Sequence, residues 1–137
     1  MNLFADSSAL AKRYVADERS DDFDNLLQRT TNLAVSVLCQ PEIISALCRR
    51  RRERLLKPSE YAAAKQALEL DLADAAMIQL TDEVLLQSIQ LLESNPLRAS
   101  DAIHVASAIL WHADVFVSAD ARQCAAAKTS GLDVIRV

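Results

Sequence analysis

Near the N-terminus the stretch NLFADSSAL sets Asp6 directly behind the apolar residues Leu3, Phe4 and Ala5. A carboxylate carried into an apolar interior is costly unless it is paired or bound to a metal. Three further acids hold comparable positions: Glu42 after Pro41, Asp101 after Ser100, and Asp120 after the run VFVSA. Brought together by a fold, the four would repel and raise one another's pKa values unless a cation neutralised them. With no Cys or His ligand nearby, an all-oxygen cluster suits Mg²⁺ or Mn²⁺ better than zinc. Such ions activate water and stabilise the oxygens of an in-line displacement at phosphorus, in two-metal sites from positions roughly 3.5 to 4 Å apart. The chemistry indicated is phosphodiester hydrolysis.

Whether the acids meet depends on the elements that carry them. Short apolar runs predict strands at Asn2 to Ala5, Leu33 to Ser36, Met77 to Leu80 and Val115 to Ser118, with a fifth in LDVIRV. Helical patterns fill the intervals, at about 7 to 15, 20 to 30, 41 to 56, 59 to 74, 82 to 94, 100 to 112 and 120 to 129. Ser59, Thr81 and Ser100 suit N-caps, and Gly131 lies just past the last helix. Strands alternating with helices imply an α/β sandwich, a mostly parallel, about five-stranded sheet flanked by helices. In such sheets ligands bind beyond the carboxyl ends of the strands, where Asp6 and Asp120 fall. Glu42 and Asp101 open helices, where the dipole favours an anion.

Length and composition set the bounds. A chain of 137 residues fits one domain, 1–137, and buries roughly two-thirds of the surface its unfolded form exposes. Half of it (51%) is apolar but only 4% aromatic, so the core is built mainly from Leu, Ile, Val and Ala. Cys39, Cys48 and Cys124 form no CxxC pair, which argues against a disulfide framework and a zinc site and for a reducing cytoplasm. No apolar run reaches the ~18 residues of a membrane span, and the N-terminus lacks the marks of a signal peptide. A soluble, cytoplasmic protein with no membrane partner is expected. The net charge of -4 argues against a generally nucleic-acid-binding surface, yet five arginines crowd between Arg49 and Arg54.

Singly, each acid has an ordinary explanation: Glu42 and Asp101 as helix-start carboxylates, Asp120 as a cap, Asp6 as a loop acid. Together they fall at corresponding ends of elements in one architecture. A phosphoacceptor receiver domain would need an acidic pair after the first strand and an Asp after the third, where Leu80 and Thr81 stand. A haloacid-dehalogenase-type phosphatase would need an Asp at the position of Ser8.

The segments LFADSSALAKRY, VSVLCQPEIISALCRR, LRASDAIHVASAIL and VFVSADARQCAAAKTSGLDVI together resemble PIN-domain ribonucleases, particularly the VapC-like toxins of toxin–antitoxin operons. The likeness covers nearly the whole chain, in family order and spacing. It implies a Mg²⁺- or Mn²⁺-dependent endoribonuclease in which Asp6, Glu42, Asp101 and Asp120 hold the metal and position the attacking water. Ser8 and Ser118 match hydroxyls that the family often carries near the first and last acids. The resemblance also implies a cognate antitoxin, whose C-terminal segment would insert a basic side chain near the acids, and a homodimer. The alternative is a catalytically inactive PIN-fold RNA-binding or scaffold protein, whose sign would be loss of an acid.

On a helix over residues 41 to 56, Arg49 follows Glu42 by seven positions and shares its face, roughly 10 Å along the axis. That spacing suits a neighbouring RNA phosphate. The other arginines wrap around the helix, while Lys12 and Arg13 are candidates for the rim. His104, three residues after Asp101, is expected to pack or hydrogen-bond beside the helix rather than act as a base, since a metal-activated water needs no imidazole. Tyr14, Tyr61 and Trp111 are read as core or interface residues.

Overall fold

Strand β1 (Asn2–Ala5) lies at the centre of the sheet, with β2 (Asn32–Ser36) on one side and β4 (Val115–Ser118) on the other. Outside these run β3 (Ala76–Ile78) against β2 and β5 (Asp133–Arg136) against β4. The order is β3-β2-β1-β4-β5 and every pairing is parallel. The computed structural model from which these elements are taken describes residues 1–15 and 19–137. From β1 the chain builds outward to β3, then crosses back to start β4 on the far side of β1. This topological switch opens a crevice at the carboxyl ends of β1 and β4, where Asp6 and Asp120 emerge.

Among the described residues the helices are α1 (Ser7–Leu10, continued by a 3₁₀ turn at Ala11–Arg13), α2 (Ser20–Gln28), α3 (Cys39–Arg52), α4 (Pro58–Ala73), α5 (Asp82–Ser94), α6 (Ala99–Leu110) and α7 (Ala121–Thr129). Alternation along the strands makes two apolar layers. Leu3, Ala5, Val35 and Val117 pack with residues of α1 to α4, including Leu10, Phe23, Leu47 and Leu68. Phe4, Ala34 and Phe116 pack on the opposite face with Val84 and Leu91 of α5, Val105 of α6 and Ala127 of α7. Phe4 and Phe116, opposite each other in register, stack with ring centroids 6.0 Å apart. No helix among the described residues is long and apolar enough to cross a membrane. All three cysteines are free.

Several element ends differ from the sequence expectation. The first helix tightens into 3₁₀ geometry and stops at Arg13. There Arg13 bridges to Asp24 (3.1 Å) and Asp71 (2.8 Å), and the Tyr14 hydroxyl donates to Asp71 (2.6 Å). Helix α3 begins before Pro41, because a proline in the first turn forgoes only an N–H that has no intrahelical acceptor. It ends at Arg52, and Arg54 turns into the left-handed region at φ 59°. Ser59 and Ser100 lie inside their helices. The caps are Lys57, whose extended backbone leads into Pro58 and whose N–H is accepted by Glu60, and Arg98. Thr81 does cap α5, accepting from the Val84 N–H. Strand β3 stops at Ile78 rather than Leu80.

Candidate active site

Asp6 sits at the floor of the crevice, 1% exposed. It N-caps α1, and its carboxylate is surrounded by donors. Ser8 Oγ lies 2.7 and 2.9 Å from the two oxygens, Ser118 Oγ donates to Oδ2 at 2.6 Å, and the Ala9 N–H donates to Oδ1 at 2.9 Å. Burial pushes its pKa above the usual carboxylate value, and these hydrogen bonds offset only part of the rise.

The two serines also tie the following segment of β4 to this acid. Ser118 Oγ accepts from the Asp120 N–H (2.9 Å), and Ser8 Oγ accepts from the Ala119 N–H (2.9 Å). Asp120 in turn N-caps α7 through Oδ1, which accepts from the N–H groups of Arg122 (2.8 Å) and Gln123 (3.4 Å). Gln123 then reaches from α7 to α6, its amide donating to Asp101 Oδ1 at 3.0 Å. Asp101 stands in the first turn of α6, with Arg98 Nε 3.5 Å from its other oxygen.

Glu42 enters from the first turn of α3 and is half-buried. Its Oε1 accepts from Ser7 Oγ (2.9 Å) and meets His104 Nε2 (2.5 Å). Burial raises its pKa, but the His104 hydrogen bond and charge, together with Ser7, outweigh that and hold the carboxyl below its ordinary range. The His104 ring is buried on α6, and its Nδ1 has no hydrogen-bond partner among the described residues. Beneath Ser7 lies Cys39. Burial, reinforced by the Asp6 and Glu42 charges, pushes its thiol up to about 12, so this sulfur is an inert filler rather than a nucleophile.

The structure therefore brings Asp6, Glu42, Asp101 and Asp120, from four elements, to one open cleft of about 420 Å³. Ser8 and Arg49 also line it, and Ser118 lies just behind Asp6. Sequence reasoning did not single out Gln123 or Arg98, and it left the partner of His104 open. Gln123 stands three residues after Asp120, and His104 three after Asp101, so helical spacing was the available signal.

Among the described residues no three His, Cys, Asp or Glu side chains are already drawn in closely enough to encircle an ion. The donor chemistry nevertheless fits a hard divalent cation. The acids offer oxygen alone, Asp6 is buried at a raised pKa that a cation would reverse, and Glu42 Oε2 and Asp120 Oδ2 make no hydrogen bond among the described residues.

Comparison with solved structures supports the fold. VapC20, a sarcin–ricin loop cleaving toxin from Mycobacterium tuberculosis, is 18% identical with a TM-score of 0.72, the match covering 98% of this chain and 99% of that one. A toxin–antitoxin complex from Klebsiella pneumoniae contains a chain that is 16% identical with a TM-score of 0.68, over 98% and 96%. PAE2754 from Pyrobaculum aerophilum is 22% identical with a TM-score of 0.71, over 98% and 89%. At these identities the likeness is one of fold. A search of curated protein sequences finds no match. The PIN domain family model matches residues 3–129, almost the whole chain, and with the parallel sheet and its strand-end acids this establishes that the protein belongs to the PIN domain family.

Proposed function

We propose that this chain is a metal-dependent endoribonuclease, hydrolysing RNA phosphodiester bonds as the toxin of a toxin–antitoxin pair. The observation that carries the reading is the convergence of four carboxylates from β1, α3, α6 and the β4–α7 junction on one cleft, with the least solvated of them at its floor.

Asp6, Glu42, Asp101 and Asp120 would hold the ion, Mg²⁺ or Mn²⁺. When bound, it would supply a water of lowered pKa and charge stabilisation for the attacked phosphate. The chain's own residues do the positioning. Ser8 and Ser118 fix the Asp6 carboxylate, while Ser118 also sets the Asp120 backbone. Gln123 steers Asp101, and Ser7 with His104 steers Glu42. Arg49, on the cleft wall, is placed to take an RNA phosphate beside the acids.

A toxin–antitoxin complex from Klebsiella pneumoniae and VapBC-5 from Mycobacterium tuberculosis, a member of the VapBC family of toxin–antitoxin systems, are among the structural neighbours and support a cognate antitoxin as the protein partner. An antitoxin that placed a cation among these acids would compete with both metal and RNA. A homodimer belongs to the same reading. Helix α5 supplies its apolar surface, with Leu86 64% and Ile89 52% exposed beside Leu85 and Leu92.

The test is incubation of purified protein with structured and unstructured RNA in Mg²⁺, in Mn²⁺ and in EDTA, with Asp101→Asn as the control against contaminating nuclease. Cleavage requiring both metal and Asp101 supports the reading. RNA binding without cleavage would make the protein an inactive PIN-fold RNA-binding module.

A further inference from the structure

The C-terminal end of α3 carries Arg49, Arg50, Arg51 and Arg52, with Arg54 just beyond. Among the described residues, none of the five forms an ion pair, although the chain holds 19 acids. The Nε of Arg50 is buried without an acceptor among the described residues. Uncompensated like charges packed into one and a half turns repel one another, and only the negative end of the helix dipole offsets this. The patch is also organised. The Arg51 guanidinium rests 4.6 Å above the Tyr61 ring of α4, which restricts a side chain that would otherwise wave in solvent. Beside it a second cavity, of about 360 Å³, is lined by Cys48, Arg51 and Arg52.

Helix α3 contributes residues to both cavities. Arg49 lines the acidic cleft and Arg52, one turn further on the same side, lines the second cavity. Arg52 stands ten residues from Glu42, roughly 15 Å along the axis. Arg49 and Arg52 thus lead away from the acids along one side of α3, while Arg51, about 200° around the helix from Arg49, stands on its far side over Tyr61.

We propose that Arg51 and Arg52, with the cavity beside Cys48, form an RNA-binding exosite that takes backbone phosphates flanking the cleavage point, with Arg49 as the link to the cleft. The proposal rests on the nuclease reading for the choice of RNA. An acidic protein segment would meet the same charges, but the continuity of the arginine path with a phosphodiester-cleaving cleft favours RNA.

The experiment is fluorescence anisotropy of labelled ~4-nucleotide and ~16-nucleotide RNAs, the span of common single-strand sites, with the full-length protein in EDTA at several salt concentrations. The variants are Arg51→Gln/Arg52→Gln and, as a control of equal charge on exposed sites elsewhere, Arg29→Gln/Lys128→Gln, each checked for an unchanged melting profile. For the longer RNA, the arginine variant loses roughly tenfold or more in affinity, and its log–log salt slope shrinks by about 1.4, near 0.7 per lost phosphate contact. The shorter RNA loses less, the remote control keeps its slope, and Arg51→Lys/Arg52→Lys recovers most of it.

If both double variants weaken binding equally, or neither does while the wild type binds RNA, the exosite is refuted and the nuclease reading stands. A wild type that binds neither RNA in EDTA refutes the exosite, and cleavage in Mg²⁺ or Mn²⁺ then decides the nuclease reading separately. Binding of a polyglutamate peptide that depends on Arg51 and Arg52, with RNA binding unaffected, would assign the patch to a protein partner and overturn the proposal.

Discussion

His104 Nε2 and Glu42 Oε1 meet at 2.5 Å across the cleft, joining α6 to α3 over 62 residues of sequence. Glu42 also accepts from Ser7 on the same oxygen, and its Oε2 makes no hydrogen bond among the described residues. In the proposed reaction the imidazole thus acts only through the carboxylate it holds. Replacing His104 by Ala removes that hold and is expected to weaken Mn²⁺ binding by roughly 10- to 100-fold, the usual effect of losing an orienting partner. His104→Gln, which keeps an N–H donor, recovers part of it. Calorimetric titration of the three proteins with Mn²⁺ checks this, and equal affinities would show that Glu42 is not positioned by the ring.

Asp6 gives the metal-free protein a pH-dependent weakness. Burial holds its native pKa above the ordinary aspartate value, so the folded state holds this proton more tightly than the unfolded chain does. That contribution to stability is fully present below the unfolded value and is lost as pH rises through the native one. In EDTA, the stability difference between wild type and Asp6→Asn should therefore move against the wild type as pH rises across that window. Asn retains the capping oxygen without the charge and melts higher at neutral pH. Thermal melts across the range measure it, and Mn²⁺ should raise the wild-type melting point while leaving Asp6→Asn nearly unmoved.

Ser118 is the shared hinge of the two acids that follow β1 and β4. Its hydroxyl donates to Asp6 Oδ2 and accepts from the Asp120 N–H. Ser118→Ala leaves a buried carboxylate short of a donor, and the expected cost is about 1–3 kcal/mol by denaturant titration in EDTA. Ser118→Thr, which keeps the hydroxyl, should lose less of the Mn²⁺ affinity than Ser118→Ala.

The exposed apolar face of α5 yields a prediction about assembly. A Leu86→Lys/Ile89→Lys variant places two charges on that face without touching the cleft. Light scattering should find the wild type as a dimer and the variant as a monomer, with metal affinity unchanged. A variant that stays dimeric would move the interface away from α5.

What the sequence made legible follows from what each signal depends on. β1 and β4 were found at their observed bounds because central parallel strands are buried on both faces and read as unbroken apolar runs. The four acids were legible for a related reason. In a parallel α/β sheet the ends of strands and the starts of helices share one edge, so position along the elements already places Asp6, Glu42, Asp101 and Asp120 at one rim. Ser59 and Ser100 are not the caps because the helices already start at Pro58 and Ala99, and a serine inside the first turn looks the same in sequence as one before it. Contacts such as Gln123 with Asp101, or His104 with Glu42, were beyond reach. They depend on how α6, α7 and α3 pack around the sheet, and nothing in the intervening residues encodes that distance.

The central claim is that four distant carboxylates form one cation site. It is tested most directly by calorimetric titration of the antitoxin-free protein with Mn²⁺, comparing wild type with Asp6→Asn, Glu42→Gln, Asp101→Asn and Asp120→Asn. Saturable binding to the wild type that weakens by at least about tenfold in each variant is the expected result. Binding that is absent in the wild type, or equal in all five proteins, would show that the acids do not act together and would remove the chemical basis for nuclease activity.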